Sequence, residues 1–382
     1  MKRIKSDKII LADRIFNGYI YFENGEITNV TEKELPVCEE YDFRGFYVCP
    51  GFVDIHTHGG GGYPFEGSVD DVVNGCNFHL KHGTTSICPT VSAAEFDSMM
   101  RSVENIRSAM ADGRVKGTII GAHLEGPYLS RKQSGAQCAD FITPPKEDEY
   151  LPLMKKRSKT IARWTYAPEN DEGERFAKAL SSHGIIASAG HTDAIYDDML
   201  RAMENGCRLV THLYSCTSTV TREMGFRRLG VIETAYLSDD IYVEIICDGK
   251  HLPPDLIKLI YKIKGADKIA LVTDSLALAG TDQKHGFMQS TEFIIEDGVC
   301  KLTDRSAFAG SIATADRLVR VAVSEAGIPI TEAIRMMTAT PAKIMKLERK
   351  GLISKGMDAD LVVLDNDICV KKVFSLGNEV QI

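Results

Sequence analysis

The sequence predicts an α/β protein: a (β/α)8 TIM-like barrel with a small β-sandwich domain built from both termini. Residues 50–350 alternate apolar runs with helical stretches, the pattern of a parallel sheet flanked by helices. Eight such units in about 300 residues match the size of a (β/α)8 barrel. The predicted domains are 1–49 plus 351–382 for the sandwich and 50–350 for the barrel.

The two ends of the chain have the same sequence pattern, in which short strand-like runs are separated by turn residues. Asn24-Gly25 stands between two N-terminal runs and is a strong hairpin signal, because both residues tolerate a positive φ. Two β-rich ends around a different middle predict one sheet domain assembled from both termini. The predicted terminal strands are residues 8–11, 18–23, 26–30, 47–49, 359–364, 368–375 and 378–380.

The middle of the chain alternates eight apolar runs of strand length with helical stretches, and several of these stretches end in a helix-terminating glycine. The predicted barrel strands are residues 51–56, 85–89, 118–125, 161–167, 185–191, 208–213, 241–248 and 269–274. The predicted helices are residues 69–82, 93–110, 171–183, 194–205, 254–264, 313–326 and 331–345. The glycines that follow them are Gly83, Gly184, Gly206 and Gly265.

Composition excludes several classes of protein. The formal net charge is -8 and the chain has no block rich in Lys and Arg, which argues against a nucleic-acid partner. No apolar run approaches the roughly 18 residues of a membrane span, and Asp7 and Asp13 precede any long apolar segment, unlike a signal peptide. Ten cysteines are scattered singly, which suits a reducing cytoplasm. We expect a cytoplasmic protein with small-molecule partners.

Polar side chains end most of the predicted barrel strands. His56 and His58 are two residues apart and would share one face of a strand, just before the four glycines 59–62. A single His-x-His pair is about as often an ordinary pair of histidines as a ligand pair. The C-terminal strand ends of a barrel surround its active site, so the coincidence across six strands predicts a metal centre. The strand-end residues are His56, His58, His123, Glu125, His191, His212, Asp248, His251 and Asp274.

The predicted cation is a divalent metal, zinc or iron, held by Glu125, His191 and His212. His56 and His58 are available for a second ion, so the prediction is one or two ions. Three protein ligands leave a position open for water, whose pKa a metal lowers to about 7.

Two further residues complete the predicted chemistry, which is hydrolysis at an electrophilic carbon. Asp274 would accept the proton of the water and pass it to the leaving group. His251 would polarise the substrate carbonyl or stabilise the developing oxyanion.

The motifs resemble those of the amidohydrolase superfamily and, within it, the N-acetylglucosamine-6-phosphate deacetylases. HLEGP at 123–127 is the most specific, since many other amidohydrolases have a carboxylated lysine where this subgroup has glutamate. The matching stretches are 50–59 (PGFVDIHTHG), 82–85 (HGTT), 123–128 (HLEGPY), 189–192 (AGHT), 211–214 (THLY), 248–251 (DGKH), 271–274 (LVTD), 309–311 (AGS), 340–342 (TPA) and 356–362 (GMDADLV).

The resemblance implies hydrolysis of N-acetylglucosamine 6-phosphate to glucosamine 6-phosphate and acetate. It assigns the metal and acid/base roles to the residues named above, and matches His56 and His58 to members that keep a second-metal pair. A phosphate-binding arginine that reaches across from the partner subunit of a homodimer falls on Arg222. The implied substrate-binding residues are Ala136, Ser215, Cys216, Arg222, Asp248, Gly249, Lys250, His251, Phe308, Ala309 and Gly310.

The chain departs from the family pattern at the sugar-phosphate end. Residues 215–217 read Ser-Cys-Thr where the family usually has Asn-Ala-Met, and Gln137 stands where a substrate-contacting histidine is expected. Arg227 and Arg228 are extra basic residues, which we interpret as a solvated loop face.

These departures leave two alternatives open. One is another amidohydrolase: a deacetylase of non-phosphorylated or galacto N-acetyl sugars, a cyclic-amide hydrolase or a deaminase. The other is a non-catalytic metal-binding or sugar-sensing protein, which Asp274 disfavours because a sensor needs no proton acceptor. His82 is predicted to be structural, and His123 to be a packed barrel residue or a partner of the metal ligands.

Overall fold

A computed structural model describes residues 1–36 and 39–381; residues 37, 38 and 382 of the predicted terminal domain lie outside the described part. The centre of the molecule is a nearly closed barrel of eight parallel strands, as the sequence predicts. Barrel strands 1 to 8 are Phe52–Thr57, Thr84–Ser92, Thr118–Ile119 with Ala122–Glu125, Ile161–Tyr166, Ile186–Ala189, Leu209–Val210, Tyr242–Ile245 and Ile269–Leu271.

Barrel strand 3 is divided by a glycine. Both of its parts pair in parallel with barrel strand 2, and Gly121 lies between them with a φ of +150°. A Cβ at this position would lie 2.8 Å from the carbonyl oxygen of Thr160, so only glycine fits. The predicted strand 118–125 therefore lies in the right place but is interrupted.

The barrel closes at the ends of strands 1 and 8. The Asp274 amide donates to the His56 carbonyl at 2.9 Å, and the His58 amide donates to the Ser275 carbonyl at 2.9 Å. These two bonds bring the His-x-His pair beside Asp274.

Ten α-helices are found within residues 1–36 and 39–381, and none of them has the length and apolarity needed to cross a bilayer. The helix predicted at 171–183 begins only at Arg175, because Gly173 and Glu174 have φ values of 66° and 53°. The helix predicted at 331–345 is two helices that meet at Thr338. The helices are Val69–Lys81, Phe96–Met110, Glu147–Arg157, Arg175–Ser182, Tyr196–Glu204, Val231–Leu237, Pro254–Lys264, Ala315–Ser324, Ile330–Met337 and Ala339–Ile344.

The main apolar core lies between these helices and the outer face of the barrel. Val72 and Met99 of the first two helices pack in the same buried cluster as Val91 of barrel strand 2. Burial of this apolar surface stabilises the barrel and holds its strand ends in fixed positions.

The strands of both termini form one eight-stranded sheet, here called the terminal sheet. Asn24 and Gly25 have φ values of 51° and 83°, which confirms the predicted hairpin. Phe22 and Phe374 are four strands apart in the sheet, about 19 Å if the sheet were flat, yet their ring centroids lie 5.9 Å apart. The sheet therefore folds over itself as a sandwich. The strands are Lys2–Ile10, Ile15–Glu23, Glu26–Thr31, Glu39–Asp42, Tyr47–Pro50, Leu361–Leu364, Val370–Ser375 and Asn378–Val380.

The division into two domains at residues 49/50 and 350/351 stays a prediction. Three smaller β structures were not predicted. Two are hairpins of very short strands, Gly59–Gly60 with Tyr63–Pro64 and Thr221–Glu223 with Phe226–Arg228. The third is a four-stranded antiparallel sheet, here called the inserted sheet, formed by His285–Met288, Thr291–Glu296, Val299–Leu302 and Phe308–Gly310.

The inserted sheet connects barrel strand 8 to the helix that begins at Ala315 and lies over the barrel mouth. Asp297 and Gly298 have φ values of 54° and 79° and form the turn between its two central strands. An Asp-Gly pair between alternating runs is a strong hairpin signal. This pattern in the sequence would have revealed the sheet.

Candidate metal centre and active site

Three of the predicted ligands, which come from barrel strands 3, 5 and 6, meet at the mouth of the barrel. Glu125 Oε1 lies 2.9 Å from His212 Nε2 and 3.3 Å from His191 Nε2, and all three residues are buried. Their ligand atoms lie within 4.8 Å of one another, which is close enough to hold one ion. The structure thus brings the three side chains together, and their role as ligands stays a prediction.

The His-x-His pair lies directly beside this group. His56 Nε2 is 3.4 Å from Glu125 Oε1 and 3.5 Å from Asp274 Oδ1. His58 Nε2 is 3.2 Å from Glu125 Oε2 and 3.3 Å from Asp274 Oδ1. Two imidazoles and two carboxylates therefore face one another, as a second cation site requires.

The hydrogen bonds made by the Nδ1 atoms of the histidines show whether their Nε2 atoms are available to bind a metal. The Nδ1–H of His191 donates to the Gln133 carbonyl at 2.8 Å, and that of His212 donates to the Ser215 carbonyl at 3.1 Å. Because carbonyl oxygens only accept, the proton of each neutral ring is on Nδ1 and the Nε2 lone pair faces the carboxylate. His56 Nε2 is buried without a hydrogen-bond partner. Such a donor set of nitrogen and oxygen lone pairs fits zinc or iron.

The electrostatics of the site favour positive charge. With protein groups alone, burial lowers the pKa of His56, but the negative charges of Glu125 and Asp274 outweigh burial and raise this pKa to about 9. The pKa values of His58 and His191 are raised as well. Burial would raise the pKa of Glu125, but the neighbouring imidazoles outweigh it and hold this pKa well below its usual range.

Cation binding is therefore expected to release protons and to tighten as pH rises. Below pH 9 the metal-free chain holds protons on imidazoles whose pKa is raised, that of His56 to about 9, and a cation must displace them. Between pH 6 and pH 8, the apparent Zn²⁺ affinity should rise about tenfold per pH unit for each proton displaced. Titration of metal-free protein with Zn²⁺ in weakly buffered solution measures the protons released. A pH-independent affinity with no proton release would contradict this expectation.

Backbone conformation aims the strand-end side chains into the mouth. His191, His212 and Asp274 have φ values of 47°, 29° and 46°, in the left-handed region that non-glycine residues rarely adopt. Such strain persists only where the surrounding structure holds it, and it clusters at functional sites. Burial would raise the pKa of Asp274, but the positive charges of His56 and His58 outweigh it and lower this pKa, so the carboxylate is ionised at neutral pH.

Gln137 fills the position of the expected histidine in a different way. Its amide nitrogen donates to Glu125 Oε2 at 2.7 Å, and its amide oxygen accepts from the Ala93 amide at 2.9 Å. The glutamine therefore orients the Glu125 carboxylate and leaves Oε1 for His56, His191 and His212.

His251 is held at the mouth by Asp248. Its Nδ1–H donates to Asp248 Oδ2 at 2.9 Å, and Asp248 Oδ1 accepts from the His251 and Lys250 amides. The Phe308 ring of the inserted sheet lies 5.1 Å from the imidazole. Gly249 adopts a φ of 73° in this tight turn. Among these five predicted contacts of the substrate, only His251 and Phe308 are in the cavity wall.

A cavity of about 280 Å³ opens above Glu125, close to the lower size of small-molecule sites. Predicted residues in its wall include Ala136, Ser215, Cys216, Ala309 and Gly310. No lysine or arginine from residues 1–36 and 39–381 belongs to this wall. Residues of the wall that were not predicted are Gln137, Tyr214, Ile246, Met288 and Ala307.

Arg222 lies outside this cavity, on the exposed hairpin of residues 221–228. In this hairpin it is directly opposite Arg227, while Arg228 is paired with Glu223 at 2.6 Å. The predicted phosphate ligand is therefore not brought to the site of its own chain.

His82 and His123, the two histidines predicted to lie outside the set of metal ligands, have structural surroundings. His123 is buried, with Nδ1 3.0 Å from Thr90 Oγ1 and Nε2 2.7 Å from Thr165 Oγ1, so neither nitrogen is left for a metal. His82 Nδ1 lies 3.5 Å from Asp316 Oδ1 at the end of the first helix.

A buried ion pair under the site was also missed. Arg163 donates to Glu244 Oε1 inside the barrel, and both side chains are fully buried. Glu244 Oε2 lies 3.3 Å from His56 Nδ1 and accepts its proton in a hydrogen bond, which leaves Nε2 on the other edge of the ring for the metal centre. The charged residues stand alone within apolar runs of their strands, and nothing in the sequence pairs them.

A model of the amidohydrolase family matches residues 47–380. With its barrel and its strand-end histidines and carboxylates, the chain belongs to the amidohydrolase family. The chain is similar to N-acetylglucosamine-6-phosphate deacetylases of Bacillus subtilis, 30% identical over 98% of this chain and 96% of that protein, and of Haemophilus influenzae, 32% identical over 91% of each. An N-acetylgalactosamine-6-phosphate deacetylase of Shewanella sp. is 31% identical over 86% of this chain and 81% of its own length.

Solved structures agree with these sequence relatives. The fold matches an N-acetyl-D-glucosamine-6-phosphate deacetylase of Mycobacterium smegmatis in complex with N-acetyl-D-glucosamine-6-phosphate, with a TM-score of 0.93, 27% identity, and coverage of 100% of this chain and 99% of that one. The corresponding enzyme of Pasteurella multocida has a TM-score of 0.93, 29% identity and full coverage of both chains.

Proposed function

We propose that the chain is a metal-dependent deacetylase that hydrolyses N-acetylglucosamine 6-phosphate to glucosamine 6-phosphate and acetate. The observation that carries this proposal is the meeting of Glu125, His191 and His212 beside Asp274, within one cavity at the barrel mouth. The named relatives, which match nearly the whole chain, support the same activity.

The residues of the cavity account for the chemistry as follows. When bound, a divalent cation supplies Lewis-acid polarisation of the amide carbonyl and makes water more acidic. Asp274, whose pKa is lowered, accepts the proton of the attacking water and returns it to the leaving amine nitrogen. His251 donates from Nε2 to the carbonyl oxygen as negative charge develops there. Because its Nδ1–H is bonded to Asp248, this donation requires the imidazolium form.

Zinc or iron is the proposed cation, because the donors are imidazole nitrogens and carboxylate oxygens. Glu125, His191 and His212 would hold the first ion, and His56 and His58, together with Glu125, would hold a second. The nine cysteines within residues 1–36 and 39–381 are all free, which supports the proposed cytoplasmic location.

The 6-phosphate would be bound by a homodimer. The cavity wall has no lysine or arginine among the described residues, so a phosphate needs a permanent positive charge from elsewhere. Arg222 stands on a hairpin whose Met224 and Phe226 are 90% and 75% exposed. A second copy that covers these apolar side chains would receive Arg222 at its own cavity.

The activity is tested by acetate release from N-acetylglucosamine 6-phosphate and from its dephosphorylated form. We expect turnover of the phosphorylated sugar and much weaker turnover of the free sugar. The galacto 6-phosphate is the second candidate substrate, because a relative of 31% identity bears that name. Absence of acetate release from all three sugars by metal-loaded protein would refute the deacetylase.

The Arg222→Ala substitution is expected to raise KM for the 6-phosphate by about 10- to 100-fold, since a charge-assisted bond to phosphate contributes about 1.5–3 kcal/mol. The free sugar should be unaffected. Arg228→Ala is the matched control, because Arg228 is on the same hairpin but is paired with Glu223. Steady-state kinetics of both variants with both sugars decide the role, and equal effects of the two substitutions would contradict it.

A further inference from the structure

A chain of two hydrogen bonds runs from His58 away from the metal centre. His58 Nδ1 lies 3.0 Å from Ser92 Oγ, and Ser92 Oγ lies 2.8 Å from Glu66 Oε1. The Ser92 amide donates to the same Glu66 oxygen at 3.0 Å. His58 and Ser92 are only 3% and 1% exposed, so water does not compete for the bond between them.

The chemistry of the three groups fixes the direction of both bonds. An ionised carboxylate only accepts, so the single hydroxyl proton of Ser92 points to Glu66. The lone pair of Ser92 Oγ is then left for His58, and the Nδ1 of His58 must be the donor. The neutral ring carries its proton on Nδ1, and the Nε2 lone pair faces Glu125 and Asp274.

We propose that Glu66, acting through Ser92, is a positioning residue that keeps His58 in the form that binds a cation through Nε2. This inference rests on the proposed metal centre. Carboxylates behind metal-binding histidines have this effect in general, because they fix the tautomer and the ring orientation.

We call the hydrogen-bonded chain Glu66–Ser92–His58 the relay. Without the Glu66 carboxylate, its hydrogen bonds can adopt a second arrangement. The Ser92 hydroxyl is then free to turn and donate to His58 Nδ1, which moves the ring proton to Nε2. A ring with a proton on Nε2 has no lone pair for a cation at Glu125 and Asp274. Glu66 therefore selects between a ligand and a non-ligand form of the same histidine.

The backbone around Glu66 is held in place by the helix Phe96–Met110. The Ser102 hydroxyl donates to the Glu66 backbone carbonyl at 3.4 Å, and the side-chain amide of Asn105 donates to the Gly67 carbonyl at 2.8 Å. The carboxylate is thus presented to Ser92 from a rigid support, as positioning requires.

The test measures Zn²⁺ binding to metal-free protein by competition with a chromophoric chelator. His58→Ala identifies the step of the binding isotherm that depends on this ligand. Glu66→Ala and Ser92→Ala should weaken the same step by about 10- to 100-fold. Glu66→Gln should stay within a few-fold of wild type, because the Ser92 amide keeps the glutamine oxygen turned towards the relay.

Ser86→Ala is the matched control, since Ser86 lies on the same strand and its buried hydroxyl has no hydrogen-bond partner. It should leave the step unchanged, and thermal unfolding of each variant shows that the chain is folded. Wild-type affinity in Glu66→Ala, or an equal loss in Glu66→Ala and Glu66→Gln, overturns the proposal. Acetate release by the wild-type protein is measured separately. The deacetylase activity and the positioning role of Glu66 can therefore be refuted independently of each other.

Discussion

Asp274→Asn is expected to lower kcat for acetate release by about 10²- to 10⁴-fold, the usual contribution of a general base. Asparagine has nearly the same shape but accepts no proton from water at neutral pH. Asp274 is the carboxylate assigned to proton transfer, because Glu125 is surrounded by four imidazole nitrogens within 3.4 Å and is proposed to hold the cation. Steady-state kinetics together with metal analysis of the purified variant measure the effect.

The cation should remain bound in this variant, since Glu125, His191 and His212 are untouched. KM should change little, because the substitution removes an interaction of the transition state rather than of substrate binding. Near wild-type turnover with full metal content would exclude Asp274 as the base. Loss of the metal together with the activity would instead make Asp274 a ligand.

Glu125→Gln is expected to abolish stable cation binding, and activity with it. Glu125 Oε1 is 2.9 Å from His212 Nε2, 3.3 Å from His191 Nε2 and 3.4 Å from His56 Nε2. Replacing it by an amide removes the negative charge that all these nitrogens share. The fall in Zn²⁺ affinity should exceed the 10- to 100-fold loss that follows removal of an outer partner.

The control for this substitution is Asp316→Asn, which removes a buried carboxylate that interacts with His82, Thr314 and Arg320 rather than with the proposed metal ligands. It should retain the metal and the activity. Equal metal content in Glu125→Gln and wild type would show that the cation is held elsewhere.

Much of the fold is predicted from the sequence because strands, helices and tight turns depend mainly on residues that are close together in the chain. The alternation of apolar runs and helices placed the eight barrel strands, and Asn24-Gly25 placed a hairpin, because both depend on neighbours in sequence. The helix predicted at 171–183 begins only at Arg175 because Gly173 and Glu174 adopt positive φ values. The pattern of apolar residues does not predict backbone conformation at single positions.

The candidate site was predicted as a set of residue types at strand ends, and the structure added their partners. His191 and His212 were expected at the mouth from the barrel rule alone. Gln137 looked like the loss of a histidine, yet it holds Glu125. Arg222 matched a family motif, but its exposure on a hairpin is a property of the folded chain.

What the sequence determined by itself is the class of fold and the chemical types of the candidate ligands, since strand periodicity and side-chain chemistry are local. Only the tertiary structure decided which groups meet. Glu66 contacts Ser92, and Glu244 contacts His56 across 188 residues of chain. Hydrogen bonds act over about 3 Å, so a partner that is distant in sequence becomes visible only when the barrel closes and packing fixes both side chains.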